Sequence, residues 1–276
     1  MSAPSILITG CSSGIGYHAA HGLRAAGWRV FATCRKDSDV SRLAAEGFET
    51  TRLDYTDPQS IEAALDFVIT ATGGTLDALY NNGAIALPGA GEDIPRDGLS
   101  LVLDTNVIGP HDLTRRVIPI MRKQGHGRII NCSSVLGLVT APWRSAYVTS
   151  KFAIEGLTDT LRIEMRDTPI KVILLEPGPI TSDIRKNSQA LFEQFVDWEN
   201  SARAAQYQGT LIKRLYDAPG RDRFELSPEA TTAALLRALT DPRPRARYRV
   251  TVPTKAMNIA RRLLPTRALD WILSRA

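Results

Sequence analysis

Five residues suited to a strand, Ser5-Ile6-Leu7-Ile8-Thr9, run straight into Gly10-Cys11-Ser12-Ser13-Gly14-Ile15-Gly16, and an apolar-periodic helix over about Ile15 to Ala26 follows. Glycine makes so tight a turn at little steric cost and lets another group approach the backbone. The first N–H groups of a helix lack partners within it, so the turn faces a ready anion site, as in the strand–turn–helix units that seat a dinucleotide pyrophosphate. The spacing is Gly-x3-Gly-x-Gly rather than the commoner Gly-x-Gly-x2-Gly. A purely structural turn is the competing reading.

The alternation continues down the chain. Strands are expected at Arg29–Thr33, Glu49–Leu53, Leu76–Tyr80, Arg128–Asn131 and Lys171–Leu175, and Asp57-Pro58 opens a helix to about Thr72. Continuous apolar strands separated by helices imply an α/β fold, a doubly wound Rossmann-type parallel sheet with helices on both faces, in a single domain over residues 1–276. One long helix, about Gly98 to Lys123, carries Asn106, Gly109 and Pro110 inside its apolar pattern. These residues are unfavourable there, so a kink or a function is expected at that point.

The second strand ends in Cys34-Arg35-Lys36. An acid at such a strand end would bind the ribose hydroxyls of NAD, whereas a base accommodates the 2′-phosphate of NADP. With Cys34 in the acid's place and Arg35 next to it, NADP(H) is favoured over NAD(H); a solvated basic turn is the alternative. Of the 276 residues, 43% are hydrophobic and 23% charged, as in soluble globular proteins. No apolar run is long enough to span a bilayer, and the Met-Ser-Ala-Pro-Ser start lacks the basic region of a signal peptide. Cys11, Cys34 and Cys132, odd in number and scattered, fit reduced thiols and a cytoplasmic location. No metal-ligand spacing appears; His18 and His21 lack a third ligand.

Tyr147 and Lys151 stand four positions apart in Tyr147-Val148-Thr149-Ser150-Lys151. On a helix they share a face. A cation held beside a phenol, whose ordinary pKa is about 10, favours the phenolate and makes the pair a proton donor and acceptor for interconverting alcohol and carbonyl. Ser134 follows the apolar run that ends in Cys132, and a strand there would carry its hydroxyl to the same cleft. Taken alone, Tyr-x-x-x-Lys carries almost no signal and reads as a half-buried tyrosine beside a surface lysine.

In combination, these motifs resemble the short-chain dehydrogenase/reductase family, in particular its 17β-hydroxysteroid and retinol dehydrogenase-like members, over about Ser5 to Thr181. The resemblance implies an oxidoreductase in which the nicotinamide carries a hydride to or from a CH–OH carbon. It implies a catalytic set of Asn106, Ser134, Tyr147 and Lys151. Ser134 and Tyr147 would hydrogen-bond the carbonyl oxygen, Lys151 would hold the nicotinamide ribose, and Asn106 would anchor a water leading to solvent. The cofactor would lie on Gly10, Ser12, Ser13, Gly14, Ile15 and Gly16, on Arg35, on Asp54 at the adenine, on Asn82 and Gly83, and on Pro177, Gly178, Ile180 and Thr181 at the carboxamide, besides Tyr147 and Lys151. The family usually reads Asn-Asn-Ala-Gly where this chain has Asn81-Asn82-Gly83-Ala84. A positive φ at position 84 would strain alanine.

The stretch 179–228 is expected to form a substrate lid. Its Phe192, Phe195, Trp198, Tyr207 and Tyr216, with Val139 and Trp143, either line an apolar pocket for aldehydes, ketones, retinoids or steroids, or pack the lid onto the sheet. A last strand is expected at Arg247–Val252, then helices from Thr254 to Arg275. From Arg243 onward there are nine lysines and arginines against Asp270 alone. Peripheral contact with an anionic membrane competes here with ordinary packing or an oligomer contact; nucleic acid is not expected, since aromatic interleaving is sparse. Family analogy implies a homodimer or homotetramer. A catalytically silent dinucleotide sensor or scaffold is the alternative function, and the complete quartet argues against it.

Overall fold

Side chains along the first strand alternate between two cores, and this places helices on both faces of the sheet. Ile6 and Ile8 of β1 (Ser5–Ile8) enter one core with Ala20, Leu23, Ile130, Ile173 and Leu235. Leu7 enters the other with Phe31, Ile61, Leu113, Val117 and Val172. The computed structural model describes residues 3–217, 222 and 224–275; of the expected lid, residues 218–221 and 223 lie outside the described residues, as do Met1, Ser2 and Ala276.

After β1 come α1 (Gly14–Ala25), β2 (Arg29–Cys34), α2 (Asp37–Ala45), β3 (Glu49–Arg52), α3 (Pro58–Thr72) and β4 (Ala78–Asn81). The sequence signals for α3 hold in detail. The Asp57 carboxylate accepts from the N–H groups of Gln59 and Ser60, Pro58 occupies the first turn, and Gly73 ends the helix at φ +69°. Next are α4 (Arg96–Leu103), a π-helical turn (Asp104–Ile108), α5 (Gly109–Gln124), β5 (Gly127–Cys132), α6 (Ser145–Glu164) and β6 (Ile170–Glu176). Then follow α7 (Ile184–Phe195), α8 (Ala204–Gln206), α9 (Ile212–Tyr216), α10 (Pro228–Thr240), β7 (Arg247–Arg249), α11 (Val252–Leu263) and α12 (Thr266–Leu273).

All seven strands pair in parallel in the order β3-β2-β1-β4-β5-β6-β7. The order reverses between β1 and β4, and ligands of such sheets bind in the crevice at that switch point, beyond the strand ends.

Two expectations change. The helix expected over 98–123 is broken by the π turn, since Pro110 has no N–H for the carbonyl of Asn106 four residues back. Gly109 permits contact with β3's exit loop: a Cβ there would lie 2.5 Å from the Tyr55 carbonyl oxygen. The last strand stops at Arg249 rather than Val252, because Thr251 caps α11 and Pro253 cannot donate to a ladder. Among the described residues, no helix is long and apolar enough to cross a membrane.

Candidate active site

The glycine turn is pressed against the loop after β4. Gly10 has φ +71°, and a Cβ on it would lie 2.6 Å from Cα of Gly83. Thr9 Oγ1 accepts from the N–H groups of Asn82 (3.0 Å) and Gly83 (3.1 Å), and Asn82 Nδ2 donates to the carbonyls of Thr9 (3.0 Å) and Gly10 (3.3 Å). Ala84 carries no strain: Trp143 (φ +63°) is the only non-glycine at positive φ among the described residues. Gly14 (φ +56°) starts α1, and its N-cap Ser13 makes no side-chain capping bond. A helix N-terminus with no side-chain cap and no acid in its first turn, fronted by small residues, fits a pyrophosphate. Ile15 packs on the core, Gly16 lies against the Gly10 carbonyl, and the Ser12 carbonyl accepts from Arg42 Nη2 at 2.7 Å.

At the end of β2, Cys34 is buried; burial and nearby Asp39 push its thiol up to about 12. Arg35 and Lys36 are exposed and make no ion pair among the described residues. Asp54 Oδ1 accepts from the N–H (3.0 Å) and hydroxyl (2.8 Å) of Thr56, at the exit of β3. Beyond β6, the Pro177 carbonyl accepts from the Val135 N–H at 2.8 Å. Ile180 bridges to Leu226, the Thr181 hydroxyl donates to Glu225 at 2.6 Å, and Gly178 fits against Thr251.

The four candidate catalytic residues gather at the end of β5. Ser134 caps the turn Val135–Gly137. Its oxygen accepts from the Leu136 N–H at 3.1 Å, and its O–H has no acceptor among the described residues. Lys151 is buried on α6. Its Nζ donates to the Cys132 carbonyl at 2.8 Å and lies 5.4 Å from the ring centroid of Tyr147. In the π turn, Asn106 Oδ1 accepts from the Ile85 N–H (2.8 Å), while Nδ2 donates to the Ile85 carbonyl (2.8 Å) and Ser150 Oγ (3.0 Å). The Asn106 side chain is therefore fully engaged with protein.

A family model for short chain dehydrogenases matches residues 4–191. The chain belongs to that family. Among relatives, an uncharacterized oxidoreductase, YbbO, of Escherichia coli is 38% identical over 98% of this chain and 93% of its own length. Retinol dehydrogenase 16 of Mus musculus is 33% identical over 97% and 87% respectively. A short-chain dehydrogenase of Streptomyces avermitilis superposes with a TM-score of 0.78 at 28% identity, covering 99% of this chain and 94% of that one. This short-chain dehydrogenase is thus an oxidoreductase of CH–OH groups that binds a nicotinamide dinucleotide.

Several residues of the dehydrogenase's site carry no motif in the sequence. Tyr55 Oη meets Thr9 Oγ1 and donates to Asn81 Oδ1, both at 2.8 Å. Asn81 Nδ2 donates to Thr114 Oγ1 (2.9 Å) and Asn131 Oδ1 (2.8 Å), and Asn131 Nδ2 to Thr158 Oγ1 (2.9 Å). This buried chain ties the ends of β1, β4 and β5 to α6. Asn81 and Asn131 are neighbours in strand register, which alternation alone cannot reveal. Arg144 lies three residues before Tyr147, a helical spacing that could have drawn attention to it. Burial, then the facing guanidinium groups of Arg214 and Arg185, push its pKa down to about 10. Of the aromatics in the stretch 179–228, Phe192 and Tyr207 are packed: with Leu211 and Leu215 they are buried against Leu87, Val102 and Ala146, and Tyr207 donates to Asp93 at 2.7 Å.

Proposed function

We propose that the protein is an NADP(H)-dependent oxidoreductase for apolar carbonyl and alcohol substrates, with Asn106, Ser134, Tyr147 and Lys151 as its working set. The observation that carries this is the buried Lys151 ammonium 5.4 Å from the Tyr147 ring, anchored by the Cys132 carbonyl at the end of β5. When bound, the nicotinamide supplies or takes up the hydride. Tyr147 exchanges the proton with the substrate oxygen, Ser134 donates its free O–H to the same oxygen, and the Lys151 cation stabilises negative charge developing on the phenol. Because the Asn106 side chain is engaged, its main-chain carbonyl, which Pro110 cannot serve, is the group that would hold a water leading to solvent.

NADP(H) is supported by the unpaired Arg35 and Lys36 at the end of β2. Structural neighbours are described with NAD in one case and with NADP+ in another. An apolar substrate is supported by the names of relatives, retinol dehydrogenases and 17-beta-hydroxysteroid dehydrogenases, and by large exposed side chains on the lid, Ile184 and Leu226. The buried, unpaired cysteines fit a reducing, cytoplasmic setting. A cavity of about 360 Å³ between α5 and α6, with Leu157 on its lining and Ile108 and Ile163 also exposed, supports a homodimer or homotetramer through these helices.

The test is Tyr147→Phe, assayed by NADPH absorbance with a panel of aldehydes, ketones, retinoids and steroids. Turnover should fall at least about 10²-fold, the lower end of acid–base catalysis, with NADPH affinity kept within a few-fold. Retained turnover would remove the tyrosine from the mechanism.

A further inference from the structure

Helix α11 turns its apolar residues away from the protein. At 100° per residue, Val252, Ala256, Ile259 and Leu263 form one stripe. All four are exposed, Val252 by 63%, Ile259 by 57% and Leu263 by 76%. The opposite side holds buried Thr254 and the exposed Arg261, whose guanidinium lies over the Phe152 ring at 5.4 Å. Lys255 and Arg262 border the stripe along one edge. On α12, Trp271 is 62% exposed beneath the Arg275 guanidinium at 4.0 Å.

Beside Lys255 opens a cavity of about 360 Å³ whose lining includes five cations and a single acid, Asp241. Arg247 is tied to Glu155, Asp159 and Glu176, Arg249 to Glu176, and Tyr248 donates to Asp241 at 2.9 Å. That leaves Arg237, Arg245 and Lys255, whose side chains make no hydrogen bond or ion pair among the described residues. Like charges gathered round one concavity repel until an anion joins them.

An apolar stripe edged by cations and adjoining an anion pocket has two faces to satisfy. A second copy would bring the same positive surface against itself, since self-complementary contacts pair identical patches. Nucleic acid would leave the stripe in water. We infer that α11 and the cavity beside it dock this protein on an anionic lipid surface. The stripe enters the acyl boundary, and Arg237, Arg245 and Lys255 take headgroup phosphates. Apolar insertion and charge act together, as reversible membrane attachment requires. Thr251, the cap of α11, lies against Gly178, so the docked helix adjoins the segment after β6. The docking does not depend on the substrate reading above.

The full chain is sedimented with vesicles of phosphatidylcholine alone and of phosphatidylcholine mixed with phosphatidylglycerol, at low and high salt. Binding is expected to the mixed vesicles and to weaken with salt. It should fall about tenfold or more in Ile259→Asp/Leu263→Asp, whose NADPH turnover with a water-soluble carbonyl stays unchanged as a folding control. Arg237→Gln/Arg245→Gln/Lys255→Gln should lose the preference for the anionic lipid. Equal sedimentation of wild type and the aspartate variant would overturn the proposal. So would protein that inorganic phosphate stabilises but that the mixed vesicles do not sediment, or a dimer that the aspartate substitutions split.

Discussion

Asn106 Nδ2 and Ser150 Oγ are hydrogen-bonded at 3.0 Å, and Ser150 Oγ donates onward to the Tyr147 carbonyl at 2.7 Å. The π turn thereby holds the backbone between Tyr147 and Lys151 in place. Ser150→Ala removes both bonds yet leaves Asn106 its two bonds to Ile85. It should cost about 1 kcal/mol of stability and lower kcat several-fold with KM for the cofactor unchanged. Asn106→Leu, which orphans the Ile85 N–H and carbonyl as well, should cost about 3 kcal/mol. Denaturant unfolding with steady-state kinetics separates the two. Equal losses would mean that Ser150 alone matters.

Gly109 meets Tyr55, the residue that links Thr9 to Asn81. Gly109→Ala would push a methyl group into the Tyr55 backbone, which cannot swing away as a long side chain could. The expected loss is about 1–3 kcal/mol, with weaker cofactor binding because Thr9 also holds the Asn82–Gly83 loop. Thermal unfolding with and without NADPH reads both effects; an unshifted melting temperature would show that α5 can yield.

The sequence marked Asn106, Gly109 and Pro110 as unfavourable in a helix, and each has a local cause that a propensity argument can reach. The glycine turn and the βα succession were legible for the same reason, since local rules fix them. What stayed hidden is non-local. Phe192 and Tyr207 carry no sign of whether they face substrate or one another, because pocket lining and core packing draw on the same residues. The link from Asn81 to Asn131 arises only from strand register. Nor could the tail's charge count show that Arg247 turns inward while Arg245 stays outside, because Arg245 precedes β7 and the alternation of a strand does not reach it.

That inward turn makes Arg247 the counterion for buried acids. It pairs with Glu155, Asp159 and Glu176, and joins α6 to β6 and β7. Burial, then the neighbouring Glu176, raise the pKa of Glu155, with Arg247 opposing both. Arg247→Met should cost about 3–5 kcal/mol, the usual penalty for stranding buried charge. A carboxyl raised on folding binds more protons in the native state, so its stability contribution is lost as pH rises through the folded pKa. The variant should therefore recover stability as pH is lowered from 8 to about 5, more than wild type does. Unfolding curves at both pH values test this, and a deficit independent of pH would place the role of Arg247 in packing.

Arg35 and Lys36 are the exposed cations at the β2 end, whereas nearby Arg42 is already engaged by Asp39, Glu46 and the Ser12 carbonyl. A 2′-phosphate on the adenosine ribose would find its charge partner in the first two. Arg35→Ser/Lys36→Ser should raise KM for NADPH about tenfold or more, since a charge-assisted hydrogen bond contributes about 1.5–3 kcal/mol and about 1.4 kcal/mol is a factor of ten. KM for NADH should barely move, because it offers no phosphate there. The NADPH penalty should also shrink at high salt, where wild type itself loses part of the attraction. Equal changes for the two cofactors would mean that the turn shapes the adenosine pocket without reading its charge.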